Sequence, residues 1–275
     1  MRRDAVSRFD RAVITGAGSG LGRALALRLA RPGAVLLLAD VDRAACEETA
    51  GLVERCGALA HARLVDVTDP AQVERLASEA DLLLDGRVEL VVNNAGVAVA
   101  GAVGETPLED WRWIVDTNLF GVVHGCHSFA PRFAARGRGA ILNVASMAGL
   151  VSVPTMGAYN ATKAAVVALS ETLAAELRSK GVTVTVLCPS FFDTHLLDRG
   201  RFASADLERA GRRAFARARM TADDVAAVAL RDLAAGRLHS VPMLDGRLAW
   251  IAKRISPGLF TRVLASPRLQ RIARG

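Results

Sequence analysis

The sequence predicts a doubly wound α/β fold: a parallel, seven-stranded Rossmann-type sheet with helices on both faces and a basic helical C-terminal tail. Three observations predict it. Short apolar runs alternate with helix-length segments from the start of the chain, a glycine-rich turn spans Thr15 to Gly22 between the first run and the first helix, and Asp40 ends the second run.

Each element has its own justification. RAVIT (11–15) is a short apolar strand, and LGRALALRLA (21–30) a helix closed by Pro32-Gly33. AVLLLA (34–39) is the second strand, followed by a helix over 42–56 and a third strand within ALAHARLVD (58–66). DPAQVERLASEADLLL (69–84) opens with an aspartate cap and a proline in the first turn, which marks a helix start. VELVVNN (88–94) is the fourth strand, 107–133 holds one long helix, and GAILNVAS (139–146) is the fifth strand. A helix over 159–181 stops at glycine, VTVTVLCP (182–189) is the sixth strand, 221–236 a capped helix, and HSVPM (239–243) the seventh strand.

With 275 residues, 51% of them hydrophobic, the chain can bury the core of one large domain. We expect that domain over 1–244, with a substrate lid at 190–220 and an extension over 245–275. The N-terminus MRRDAVSRFDRAV lacks a signal-peptide core, and no apolar run reaches the ~20 residues that span a bilayer. The expected location is the cytoplasm. Cys46, Cys56, Cys126 and Cys188 show neither metal-ligand nor disulfide-framework spacing, so no metal is expected.

The net charge of +7 would suit nucleic acid if it were spread over the molecule. It is not. From Asp245 onward there are seven basic residues against one acid, which leaves the body nearly neutral, and no nucleic-acid partner is expected.

A turn such as TGAGSGLG between strand and helix lets the backbone approach a pyrophosphate, whose charge the helix N-terminus favours. Asp40 lies twenty-four residues beyond Gly16, where a carboxylate accepts hydrogen bonds from a ribose and repels a 2′-phosphate. NAD is therefore expected ahead of NADP, although Arg43 stands nearby.

Tyr159 is the only tyrosine, and Lys163 follows it by one helical turn. A free phenol has a pKa of ~10, and lowering it to neutrality requires about 4 kcal/mol. A unit charge about 4 Å away at an effective dielectric of about 20 is worth that much. Lys163 is thus expected to acidify Tyr159.

These pieces together resemble the short-chain dehydrogenase/reductase family over about residues 10–195: TGAGSGLG (15–22), Asp66-Val67, NNAG (93–96), Asn118, Ser146 and YNATK (159–163). The resemblance implies a catalytic tetrad of Asn118, Ser146, Tyr159 and Lys163, in an oxidoreductase acting on a secondary alcohol or ketone. It also implies cofactor contacts from Gly16, Ser19, Gly20, Leu21, Gly22, Asp40, Asp66, Val67, Asn93, Ala95, Gly96, Pro189 and Thr194, besides Tyr159 and Lys163. Lys163 would hold the nicotinamide ribose, and Asn118 a water leading from Lys163 to solvent. Homodimers or homotetramers built on the helices at 107–133 and 159–180 are implied as well. A rival reading is a nucleotide-binding regulatory or scaffold protein without turnover, which the complete tetrad disfavours.

Two segments depart from the resemblance. Ser190 follows Pro189 where the family places glycine, which calls the loop's geometry into question. The tail carries an apolar stripe (Leu248, Ile251, Ala252, Ile255, then Leu259, Phe260, Val263 and Leu264) among basic residues, so 246–275 is read as either a peripheral membrane contact or packing. The lid arginines are expected mainly on the solvated face of one helix, and Leu196, Leu197 and Phe202 suggest a hydrophobic substrate.

Overall fold

The computed structural model describes residues 9–194 and 196–266. In chain order the first half runs β1 (Arg11–Thr15), α1 (Gly20–Leu29), β2 (Val35–Asp40), α2 (Arg43–Arg55), β3 (Leu59–Leu64), α3 (Pro70–Leu83), β4 (Leu90–Asn93) and β5 (Val99–Ala100). Next come α4 (Leu108–Val115), a π-helical turn (Asp116–Phe120), α5 (Gly121–Arg136), β6 (Gly139–Val144), α6 (Met147–Val151), α7 (Gly157–Leu177) and β7 (Val182–Leu187). The remainder is β8 (Arg201–Phe202), α8 (Ala205–Ala216), α9 (Ala222–Ala234), β9 (His239–Ser240), α10 (Leu244–Ile255) and α11 (Pro257–Leu264).

Seven strands form one sheet in the order β3-β2-β1-β4-β6-β7-β9, with every pairing parallel. Parallel strands are buried on both faces, which is why the strands read as continuous apolar runs. Alternation still divides them: Val13, Leu37, Val91 and Ile141 pack under α3, α5 and α7, whereas Ile14, Leu36, Leu38 and Leu142 pack under α1, α2 and α9. Strand order reverses at β1, which pairs with β2 on one side and β4 on the other. A crevice at the carboxyl ends of β1 and β4 follows from that reversal.

Caps set most helix ends. Asp42 accepts from the N–H of Ala45, Asp69 accepts from those of Ala71 and Gln72 ahead of Pro70, and Thr221 with Asp224 forms a capping box. Gly181, at φ 69°, ends the helical stretch after α7.

Three expectations change. The long helix at 107–133 is broken by the π-helical turn around Asn118 and continues to Arg136. The last strand shrinks to His239–Ser240, because β7, the strand it pairs with, ends at Leu187 opposite Ser240. Ser190 brings no left-handed backbone, since the positive-φ non-glycine residues described are Asp85, Ser152 and Thr155; a side chain is accommodated there without strain.

Candidate active site

The glycine turn is shaped by close approach. Gly16 takes φ +63°, and a Cβ on Gly22 would lie 2.0 Å from the Gly16 carbonyl oxygen, so a side chain there cannot be accommodated without moving backbone. Gly18 donates its N–H to Asp40 Oδ2 at 2.8 Å, and Arg23 clasps the carbonyl of Gly18 at 2.6 Å. Ser19 stands at the N-cap of α1 without a side-chain cap bond, which leaves its hydroxyl and the first-turn N–H groups to face an anion. Asp40 is not consumed as a helix cap, because Asp42 does that work. Arg43 runs along its own helix to Glu47, at 2.8 Å.

A cleft of about 560 Å³ opens over this turn. Gly16, Ser19, Gly20, Leu21, Asp40, Asp66 and Val67 line one part of it, and Ala95, Gly96, Tyr159, Lys163, Pro189 and Thr194 another. The glycines, the open helix N-terminus and the carboxylate at the end of β2 fit a dinucleotide: a cradle that side chains would fill, with an anion site at one end and ribose acceptors at the other.

Two residues expected at the cofactor sit behind it. Gly22 supports the turn from within α1. Asn93 is buried in the sheet, where its Nδ2 donates to Asn143 Oδ1 at 2.8 Å, and Asn143 in turn donates to Ser170. Neighbouring residues at a strand end point to opposite faces, so it is Asn94 that reaches the cleft. Its Nδ2 donates to the carbonyls of Thr15 at 3.0 Å and Gly16 at 2.9 Å, tying β4 to the turn after β1. Strand parity was the signal that could have separated the two.

At the other end, α7 brings Tyr159 and Lys163 to the carboxyl end of β6. Both are buried, with 6% and 4% of their surface exposed. The Tyr159 ring packs with Val99, Ile114, Ala148 and Ala158. Lys163 Nζ donates to the Val144 carbonyl at 2.9 Å and stands 5.8 Å from the Tyr159 ring centre. Ser146 caps α6 by accepting from the N–H of Ala148, its hydroxyl donates to the Pro189 carbonyl at 3.5 Å, and it lies near enough to the phenol to favour the ionised form.

Asn118 lies within the π-helical turn and is fully buried. Its Oδ1 accepts from the Val97 N–H at 2.7 Å and its Nδ2 donates to the Val97 carbonyl at 2.9 Å. Gly96 lets this group approach: a Cβ there would meet Asn118 Oδ1 at 3.1 Å and Lys163 Nζ at 3.4 Å.

The electrostatics depart from expectation. Burial pushes the Tyr159 phenol up to about 12, opposed only by the nearby Ser146 hydroxyl. Burial also pulls the Lys163 ammonium down to about 8, and Lys163 is not what lowers the phenol. Desolvation outweighs a charge held nearly 6 Å from the ring. The protein's own groups therefore keep Tyr159 protonated at neutral pH.

A family model described as short chain dehydrogenase matches residues 10–202. The chain belongs to that family. Among relatives, the 1-deoxy-11-beta-hydroxypentalenate dehydrogenase of Streptomyces exfoliatus is 38% identical over 245 residues, covering 86% of this chain and 84% of that protein. A probable oxidoreductase, EphD, of Mycobacterium bovis is 40% identical over 185 residues, or 67% of this chain; the match spans only 31% of that longer protein. A short-chain dehydrogenase from Burkholderia phymatum, solved in complex with NAD, superposes with a TM-score of 0.85 at 36% identity, covering 90% of this chain and 94% of that one. One from Sphingobium yanoikuyae, solved in complex with NADPH, gives 0.75 at 29% identity, covering 91% and 94%.

Against this family frame, the lid shows what sequence reasoning missed. Arg199 and Arg201 lie outside α8 and reach across the cleft instead of forming part of its solvated face. Arg199 pairs with Asp42 at 2.7 Å and stands 3.9 Å from Asp40; Arg201 pairs with Asp110 at 2.6 Å and stacks 4.0 Å over Trp113. β8 pairs with β5, which holds the lid at the cleft mouth. No local pattern marks such partners, which are about ninety residues or more distant in the chain.

The buried cation carries a stability cost. Moving the lysine pKa from 10.5 to about 8 corresponds to on the order of 3 kcal/mol, less about 1 kcal/mol or more for the Val144 carbonyl left unpaired when the ammonium is removed. Lys163→Met should therefore unfold at higher denaturant than wild type at pH 7. The folded pKa lies below the unfolded one, so the cost is complete below pH 8 and disappears above pH 10.5. Denaturant titrations should show the gap between variant and wild type narrowing across that window.

Proposed function

We propose that this chain is a dehydrogenase moving hydride between a nicotinamide dinucleotide and a secondary alcohol or ketone, with Tyr159 as the acid and base. One observation carries the reading. The single tyrosine is held in an apolar pocket beside a serine hydroxyl and a buried ammonium, at the end of a cleft whose other end is shaped for pyrophosphate and ribose.

The dinucleotide would lie on Gly16 and the N-terminus of α1, with the adenosine ribose at Asp40 and the nicotinamide end near Lys163 and Thr194. Asp40 favours NAD over NADP, since its carboxylate would face a 2′-phosphate. The nicotinamide, when bound, supplies the hydride acceptor or donor and, in its oxidised form, a positive charge near the phenol.

The remaining work belongs to the chain. In reduction the protonated Tyr159 gives its proton to the carbonyl oxygen, a role for which a phenol held at about 12 is already in the right state at neutral pH. In oxidation the same oxygen would take the alcohol proton as the phenolate, having first lost its own proton to solvent under the positive charge that the oxidised nicotinamide would supply. Ser146 donates to the substrate oxygen and so stabilises the charge that develops there. Lys163, whose ammonium keeps donors beyond the one given to Val144, would hold the nicotinamide ribose hydroxyls. Because the Asn118 side chain is committed to Val97, any water it positions is held by its backbone carbonyl, in a π-helical turn of the kind often found at functional sites.

The substrate wall is apolar. Trp113, Phe192 and Leu196 line the cleft, and Met156 packs with the Tyr159 cluster, so the alcohol or ketone is expected to be hydrophobic. We further propose action in the cytoplasm as a homodimer or homotetramer associating through α5 and α7. No described helix is long and apolar enough to cross a membrane.

A panel of hydrophobic alcohols and ketones, followed by nicotinamide absorbance, tests the reading. Tyr159→Phe should lose roughly 10²-fold or more in kcat while NAD affinity, measured by calorimetry, stays within a few fold. Binding without turnover of any substrate in the wild type would instead support a non-catalytic nucleotide-binding protein. In the same assay Asp40→Ala should shift the NAD to NADP preference by about tenfold or more toward NADP, consistent with loss of one close like-charge contact.

A further inference from the structure

Helices α10 and α11 have two unlike faces. On the inner face, Gly246 lies so close to Met147 that a Cβ would meet its Sδ at 2.9 Å, and Ala249, Trp250 and Phe260 pack onto the core. Phe260, read from sequence as part of an apolar stripe that either meets a membrane or packs, is an anchor. Lys253 Nζ donates to the Leu150 carbonyl at 2.7 Å and to Ser152 Oγ at 3.2 Å, and Arg247 Nε donates to the Val241 carbonyl at 2.6 Å. The helix pair is fixed to the body of the domain.

The outer face is apolar and in solvent. Leu244, Leu248, Ile251 and Ile255 recur at helical spacing with 70%, 58%, 51% and 79% exposure, and Leu259 and Val263 follow on α11. Of fourteen exposed large hydrophobics among the described residues, six fall in this one stretch of twenty. Such concentration marks an interaction surface, whereas scattered single residues would not.

Charge identifies the occupant. Arg254 and Arg262 accompany the apolar row, and neither of them pairs with a carboxylate among the described residues. Asp245 is the sole acid of the two helices. A second copy of the chain docking by two-fold symmetry would set these cations against themselves with one acid per copy to offset them. An anionic surface satisfies them, and a bilayer boundary takes the apolar row as well.

We propose that α10 and α11 dock the protein on an anionic lipid bilayer, lying in the plane of the headgroups with Leu248, Ile251, Ile255 and Leu259 immersed and the arginines at the lipid phosphates. This stands apart from the catalytic reading, since none of these residues lines the cleft.

Flotation of the full chain with vesicles tests it. The vesicles are phosphatidylcholine alone or phosphatidylcholine mixed with phosphatidylglycerol, each at low and high salt. Wild type should float with the mixed vesicles at low salt, and roughly tenfold less with phosphatidylcholine alone or at high salt. Leu248→Asp/Ile255→Asp and Arg254→Gln/Arg262→Gln should each reduce flotation by about tenfold, with NAD affinity and thermal unfolding unchanged. Absence of flotation, equal flotation on both lipids, or flotation insensitive to these variants would overturn the proposal. A shift to smaller species in sedimentation velocity by the aspartate variant, without lipid binding, would assign the face to a second copy and overturn it equally.

Discussion

An ammonium with 4% of its residue surface exposed, answered by one carbonyl at 2.9 Å, is the constraint around which this site is organised. Lys163 is held there because β6 ends at Val144 with its oxygen aimed at the helix, and Gly96, where a Cβ would crowd Asn118 Oδ1 at 3.1 Å, keeps the space beside it open. The π-helical turn then brings Asn118 against Val97, closing the wall behind the lysine. Each of these groups is ordinary alone. Their convergence at a strand end, against the stability cost of a buried charge, is the observation on which the proposed chemistry rests.

The other half of the cleft depends on close backbone approach. Thr15, Gly16 and Asn94 bind the ends of the two strands at which the sheet order reverses, and Gly22 lets α1 begin almost in contact with the turn. This makes the phosphate end a property of main-chain geometry, while the reacting end is a property of side-chain burial. Between them the lid contributes Arg199 and Arg201, whose pairing with Asp42 and Asp110 holds a short strand over the opening.

Much of the fold was legible because parallel strands and their helices leave strong local signatures. The apolar runs, the glycine turn, Asp69-Pro70 and the glycine stop at Gly181 all mark their elements with local chemistry. Through the short-chain dehydrogenase resemblance the sequence pointed to most of the residues that line the cleft. What stayed hidden was set by tertiary contact. Asn93 and Asn94 look alike in sequence, yet one belongs to the sheet and the other to the cleft. Phe260 reads as part of a stripe, yet the break at Ser256 turns it inward. The acidity of Tyr159 could not be judged from the spacing of a lysine, because the depth of burial decides whether desolvation or charge prevails.

That balance can be measured directly, since the chain has one tyrosine and its phenolate absorbance reports a single group. A spectroscopic pH titration, with Tyr159→Phe as blank, should show the free protein ionising only near pH 12, and the midpoint falling when saturating oxidised NAD is added. A midpoint at or below the ordinary phenol value in the free protein, or one that oxidised NAD leaves unmoved, would contradict the account.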